Sequence, residues 1–432
     1  AAHAEDAATA VRYAVAHGLR VAAQGTGHNA APLGELGDTL LLRTDLMRGV
    51  TIDPERMIAR VEAGTLWQQV TEAAAEHGLA ALAGSSADVG VVGYTLGGGV
   101  SWLARSHGLG ANSVTAIELV TADGEFRRVD ERADPDLFWA LRGGGGAFGV
   151  VTALEFRLYA MTSVYAGALF WPIDRAADVM HAWRDWTVDL PASVMTAARV
   201  MTFPPFLDVP APLRGRAFVI VEAVLQDAAA AADALLAELR RLQPEIDTFA
   251  VTPLPALSAL HMDPPGPVPG IGDGALIREL DERAVDAFLS VAATPRGGSI
   301  LSAELRLLGA ALAPGTPGTP GQEDGGAVSG LNGSHLMFAG GMGDTPENAA
   351  TVRGELDDLL GVLAPWRSES DYLNFAETPA RAERLYGDAL PRLREIKQRV
   401  DPDDVIRSNH PLGRIHGATA PAQVGAGAVS PK

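Results

Sequence analysis

Gly25-Thr26-Gly27-His28-Asn29-Ala30 follows a short apolar run, Leu19–Ala23, and literally fits the G-x-G-x-x-A pattern of a dinucleotide-binding strand–turn–helix. The residues after it decide against that fold. Such a site needs a helix directly after the turn, with its N-terminus facing pyrophosphate. Here Pro32, Gly34 and Gly37 arrive with no helical apolar period. A Rossmann domain is excluded at this position. What survives is a glycine turn whose backbone N–H groups form an anion-binding nest, an arrangement that needs no lysine.

The chain has few lysines to offer. Among 432 residues only Lys397 and Lys432 are lysine, and 34 basic against 53 acidic residues leave a formal charge of −19. A Walker-type phosphate lysine is excluded, and Schiff-base chemistry is disfavoured. Nucleic acid and anionic membrane both require a cationic footprint, so neither is expected as the main partner. There is no cysteine, hence no disulfide framework, thiolate metal site or cysteine nucleophile. No run approaches the roughly 18 apolar residues of a transmembrane helix. The first residue is not Met and the chain opens inside an expected helix, Glu5 to His17. Residues upstream are therefore expected, and cytoplasm is favoured with export left open.

A second glycine cluster runs Gly84-Ser85-Ser86-Ala87-Asp88-Val89-Gly90-Val91-Val92-Gly93, then Gly97-Gly98-Gly99. Six glycines between 84 and 99 read either as tight turns between strands or as backbone pressed against a large planar phosphorylated ligand. Two such clusters in one region favour the ligand. Around them, Thr39–Leu42, Ile58–Ala63 and Val150–Leu158 read as strands. Asp123-Gly124 marks a hairpin between Ile117–Thr121 and Glu125–Val129. Thr65 with Gln68 reads as a capping box, and Asp134-Pro135 as a helix start. From 161 to 365 alternating stretches such as Arg216–Val224 and Ile300–Leu308 suggest an antiparallel sheet, with a helix over Asp227–Leu242 and a Pro/Gly-rich surface loop at 313–327. After 366, Thr378-Pro379 opens a helical region interrupted at Pro391 and ending before Asp401-Pro402. No internal repeat is present.

These residues carry a resemblance. Gly25–Asn29, Val89–Gly99, His107–Leu109 and above all Asp136–Val151 (D-L-F-W-A-L-R-G-G-G-G-A-F-G-V-V) resemble the FAD-binding domain of the vanillyl-alcohol oxidase/p-cresol methylhydroxylase superfamily, within it the berberine bridge enzyme-like oxidases of the bacterial 6-hydroxynicotine oxidase type. Tyr372-Leu373-Asn374 resembles their Y-x-N motif, and Lys397 through Asp401-Pro402 to Asn409 their closing stretch. The implied fold is α+β: a two-part FAD-binding domain of the p-cresol methylhydroxylase type, residues 1–160, plus an antiparallel-sheet-and-helix substrate domain, 161–365. Residues 366–432 are expected to carry Y-x-N back to the FAD domain. The implied function is an FAD-dependent oxidase that moves hydride from a C–H bond of a small organic substrate to the flavin, with O2 as acceptor, in secondary metabolism. A dehydrogenase using another acceptor and a non-catalytic flavin binder are the competing readings.

The resemblance implies that FAD contacts Gly25, Thr26, Gly27, His28 and Asn29; Gly84, Ser85, Ser86, Gly90, Gly93, Gly97, Gly98 and Gly99; Gly149 and Val150; and Asn374 and Asn409. His28 stands where the family bonds imidazole to the flavin; the plain alternative is a core or surface histidine. Related enzymes add a cysteine attachment whose register falls near Ser86. A serine hydroxyl is a poor nucleophile beside a thiolate, so one link, through His28, is expected. Tyr372 and Asn374, two apart, would share one face of an extended segment at the ring as catalytic groups; alternatively they are a core aromatic and a capping amide. Glu304, with Arg306, sits on one face of the strand Ile300–Leu308, as a substrate-facing catalytic group or as a solvated couple. His335, His410 and His416 show no metal-ligand spacing, and no metal is expected.

Overall fold

The computed structural model describes residues 1–207, 209–264, 266–293, 299–316 and 325–413. The central part of the Pro/Gly-rich segment, 317–324, and His416 lie outside the described residues.

The first core is built from both ends of the chain. Arg20–Gln24 is the middle strand of a three-stranded parallel sheet, between Thr39–Arg43 and Ile406–Arg407. A five-stranded antiparallel sheet runs in the order Val50–Asp53, Ile58–Glu62, Val150–Arg157, Val114–Val120, Phe126–Val129. Ala7, Val11 and Ala14 of the helix Ala4–Ala16 recur at helical spacing and are buried in this core, as are Val70, Phe148 and Leu154. So are Leu393, Ile396 and Ile406 from the far end of the chain. The Asp123-Gly124 hairpin is present, with the Thr121 hydroxyl donating to Asp123 Oδ1 at 2.6 Å. Asp134 caps Pro135–Leu141, its carboxylate accepting from the Leu137 N–H at 3.2 Å.

Two local expectations shift. The cap of Trp67–Ala75 is Leu66, not Thr65: Gln69 Oε1 accepts from the Leu66 N–H at 3.0 Å, while Thr65 is buried. A buried Thr65 hydroxyl is drawn to Gly49 O instead, so the side chain is unavailable to the helix end. Pro391 does not interrupt a helix but lies in the first turn of one, Leu390–Val400, where its missing N–H costs nothing.

The second core is an eight-stranded antiparallel sheet with path Ile246–Asp247, Ser163–Pro172, Ala217–Leu225, Val194–Thr202, Ile300–Leu307, His335–Met342, Gly270–Ile277; Ala250–Pro253 also pairs with Ser163–Pro172. Helices Ala176–Thr187, Ala229–Arg240, Glu282–Ala292 and Pro346–Val362 cover one face through Val179, Trp183, Leu236, Phe288 and Leu356. The other face meets Val100, Trp102, Leu109 and Tyr372 of the first body. With both faces covered, Ala217–Leu225 is buried along nearly its whole length rather than at alternate residues. Side-chain alternation still assigns faces. Val219, Val221, Ala303 and Leu305 point to the helices, which places Glu222, Glu304 and Arg306 on the face toward the first body.

Candidate active site

The turn after Arg20–Gln24 lies at the surface, with Thr26 and His28 exposed. Gly27 has φ 89°, a backbone that an L side chain resists. Among the described residues, no protein group accepts from the backbone N–H groups of Thr26 through Asn29, nor from those of Gly84 through Asp88. The two loops touch, since a Cβ on Gly90 would stand 3.4 Å from Thr26 Cγ2. They form two adjoining rows of free donors.

The glycines of the second loop have separate reasons. The Tyr94 ring lies between Gly84 and Gly99: a Cβ would come 3.0 Å from it at Gly84 and 2.4 Å at Gly99. A Cβ on Gly97 would fall 1.8 Å from Asn374 Oδ1. Gly98 and Gly99 have φ 114° and 84°, which turns the Gly99 N–H toward Tyr372. Gly93 alone of this set is exposed, with open space where a side chain would stand. Gly149 and Val150 receive a packing account: Gly149 admits Val120 O, and Val150 is fully buried opposite Val120 in the sheet.

Tyr372 and Asn374 meet, though not on an extended segment. Tyr372 precedes a 3-10 turn, Leu373–Phe375, and the turn folds the Asn374 amide back to donate to Tyr372 Oη at 3.0 Å and to Tyr94 O at 2.9 Å. The Gly99 N–H donates to the same phenol oxygen at 3.1 Å. Its acceptor capacity is filled, and its own hydrogen has no acceptor among the described residues. Burial pushes this phenol up to about 12, against the downward pull of Asn374, the Gly99 and Val100 N–H groups and Arg306. Tyr372 is therefore a neutral donor at ordinary pH.

Behind it lies a row of five buried ionisable groups. Arg199 pairs with Glu222 at 2.7 Å; His261 Nδ1 meets Glu222 at 2.6 Å and its Nε2 meets Glu304 at 3.1 Å; Arg306 Nη2 donates to Glu304 at 3.0 Å. Strand pairing sets Arg199 directly opposite Glu304. Glu304 is not solvated: it is 3% exposed, and although burial alone would raise it, Arg306 and His261 hold it far below the usual carboxylate range. Burial pulls His261 down, yet the two carboxylates outweigh burial and Arg199 and lift it to about 9. The Arg306 guanidinium carbon lies 5.1 Å from the centre of the Trp102 ring and 6.0 Å from that of Phe375.

Sequence reasoning did not single out Arg199, Glu222 or His261. For the first two a signal exists: each is the lone charge in nine strand residues, Val194–Thr202 and Ala217–Leu225. His261 follows an irregular turn and offers none.

His28 sits on the lip with 46% of its side chain exposed, Nε2 at 3.5 Å from Asp88 Oδ1. The Ser86 hydroxyl donates to the same oxygen at 3.0 Å. Asn29 Nδ2 donates to Leu373 O at 2.8 Å, and Asn409 Nδ2 to Asn29 O at 3.1 Å, so the closing stretch grips the first loop. No group of three or more metal-ligating side chains occurs among the described residues.

Residues 1–130 match the FAD binding domain family, and residues 371–413 match the berberine and berberine-like family. The two ends of the chain are thus similar to FAD-binding and berberine-like proteins. The chain is 36% identical over 167 residues to (R)-6-hydroxynicotine oxidase of Paenarthrobacter nicotinovorans, covering 38% of this chain and 36% of that protein. It is 31% identical over 187 residues to an uncharacterized FAD-linked oxidoreductase of Bacillus subtilis, 42% of each. The matched stretches thus span well under two thirds of those relatives. Among solved structures, 6-hydroxy-D-nicotine oxidase from Arthrobacter nicotinovorans superposes with TM-score 0.79 at 25% identity, over 95% of this chain and 90% of that one. A berberine bridge enzyme-like protein of Physcomitrella patens gives 0.81 at 19% identity, over 96% and 91%, and shows the shared fold. FAD fits the residues present: its phosphates and ring edges need donors, and the two rows of free N–H groups could supply them without a lysine. The Asn29 Oδ1, buried without a partner, lies beside them.

Proposed function

We propose that this chain is an FAD-dependent oxidase of a small organic substrate, with O2 as acceptor. In this reading residues 1–160 and 366–432 hold FAD, and 161–365 cover the substrate. The loops 25–29 and 84–99 and Asn409 would hold the cofactor, with His28 as its one covalent anchor. Bound there, FAD supplies a two-electron acceptor for hydride from the substrate and a donor to dioxygen.

The single observation that carries the proposal is Tyr372, fixed between Gly99 and Asn374 with its hydrogen left over. A buried phenol with a free donor orients a ligand oxygen or nitrogen beside the loop 97–99. Taking its proton at pH 7 would cost about 7 kcal/mol, so Tyr372 releases it only when charge changes on a neighbouring group. Arg306, the Gly99 and Val100 N–H groups and Asn374 already favour the phenolate and are included in that cost, which burial alone would make larger. Glu304, held ionised, acts from further back by fixing Arg306. His28 is oriented by Asp88, which also holds Ser86.

The test begins with colour. Acid-precipitated wild type should keep its yellow in the pellet, and His28→Ala should release it to the supernatant; a colourless wild-type pellet refutes the anchor. A panel of alcohols, amines and sugars is then screened anaerobically for flavin bleaching. Prompt return of colour on admitting air is expected. Bleaching followed by recovery over minutes would make the protein a dehydrogenase, and no bleaching with any compound would leave it a binder.

A further inference from the structure

We propose that Arg306 binds a carboxylate of the substrate at the wall formed by Trp102, Tyr372 and Phe375. This rests on the oxidoreductase reading above and specifies its substrate class.

A guanidinium carries five N–H donors. In Arg306, a side chain 3% exposed, only Nη2 has an acceptor: Glu304 Oε1 at 3.0 Å and Oε2 at 3.3 Å. Nε is buried without a partner, and among the described residues no protein group accepts from Nη1. Three donors on a buried cation are thus unspent. The neighbouring acids cannot take them. Glu304 is already shared with His261, and Glu222 is shared between His261 and Arg199. Asp263 is near enough to be felt by Arg306 but forms no ion pair with it. The two phenols of the wall, Tyr372 and Tyr94, are neutral and feel the same cation.

The Trp102 and Phe375 rings near the guanidinium attract the cation but are weak acceptors. The indole N–H of Trp102 is also buried without an acceptor. Leaving such buried groups unpaired is destabilising, more so for a charged one. An incoming carboxylate removes that cost and finds unpaired donors from Arg306 and Trp102, with the Tyr372 hydroxyl hydrogen adjacent. Trp102 also lines a narrow cleft, about the room of a water molecule as it stands, with Ser101, Gly84, Ser86, Leu254 and Leu257. The residue beside the cation therefore also borders a gap that a ligand would have to widen.

The experiment titrates the yellow holoprotein with benzoate and with benzamide, its neutral isostere, reading tryptophan fluorescence and visible flavin absorbance. Wild type should bind benzoate about tenfold more tightly, the effect of one charge-assisted hydrogen bond. Arg306→Met should bring the ratio near one, and Arg306→Lys should keep only part of it. Thermal unfolding is recorded for both variants. Should the methionine variant not fold, the lysine variant decides: a ratio unchanged from wild type overturns the proposal, and a fall supports it. Equal binding of the two probes to wild type overturns it outright. So does a ratio that survives in Arg306→Met, or a Met variant in which only the flavin spectrum moves, which would assign the guanidinium to the cofactor. A protein purified without flavin would sink the oxidoreductase reading while leaving the fluorescence ratio measurable.

Discussion

Replacing His261 by glutamine tests the buried charge row through pH. His261 titrates at about 9 in the folded protein and near 6.5 when free, because Glu222 and Glu304 flank its ring. A folded value above the unfolded one means that protons bind the native state more tightly. The resulting stabilisation, about 3 kcal/mol, is fully present below pH 6.5 and is lost as pH rises through 9. Glutamine cannot carry that proton. The destabilisation caused by His261→Gln should therefore shrink by about 2–3 kcal/mol between pH 6 and pH 9. Urea unfolding of both proteins across that range, followed by tryptophan fluorescence, reads it; Trp171, Trp183 and Trp186 are buried in the same sheet-and-helix core. The half-buried His107 and the buried His335 and His410 are held low by desolvation and are present in both proteins, so they cancel in the difference. Glu222 and Glu304 are held below the ordinary carboxylate range and titrate under the window. A destabilisation independent of pH within about 0.5 kcal/mol would mean that His261 is not the protonated bridge.

Three further substitutions probe the site and its frame. Tyr372→Phe removes the free hydroxyl donor and should slow substrate-dependent flavin reduction about 100-fold while acid-stable yellow persists; unchanged kinetics would end its assigned role. Gly97→Ala puts a methyl 1.8 Å from Asn374 Oδ1, so the amide must leave Tyr94 and Tyr372; a loss of about 1–3 kcal/mol in thermal or urea unfolding is expected, together with slowed flavin reduction. Lys397→Met strips Asp401 of its buried cation and Ala147 O and Ile406 O of a donor each. It should cost about 3–5 kcal/mol by urea unfolding, as breaking a buried pair does.

Much of the fold was readable because its signals are local. Gly25–Asn29 and Gly84–Gly99 announced their loops by what the backbone must do there, and Asp123-Gly124 and Asp134-Pro135 by turn and cap chemistry. The site was half readable. Tyr372 and Asn374 were selected by motif, but their contact comes from a 3-10 turn that a spacing of two, taken as extended chain, does not reveal. Glu304 read equally well as solvated because alternation names a face without saying what covers it. Thr65 looked like a cap until burial took its side chain away. His261 was invisible because it acts across chain distances of 39 to its Glu222 partner and of 43 to Glu304, set only by the folded sheet.

The parallel pairing of Ile406–Arg407 with Arg20–Gln24, and the grip of Asn409 on Asn29, fix an order of events during synthesis. The eight-stranded sheet can assemble from contiguous chain as soon as residue 363 has emerged. The first body, though begun first, acquires the strand Ile406–Arg407 and the Asn409 contact only some 380 residues after its own loop. On the proposed reading, cofactor capture would then be a late step. A chain stopped before Ile406 should retain a folded middle yet, on the proposed reading, carry no flavin, so colour would report that this strand has been made.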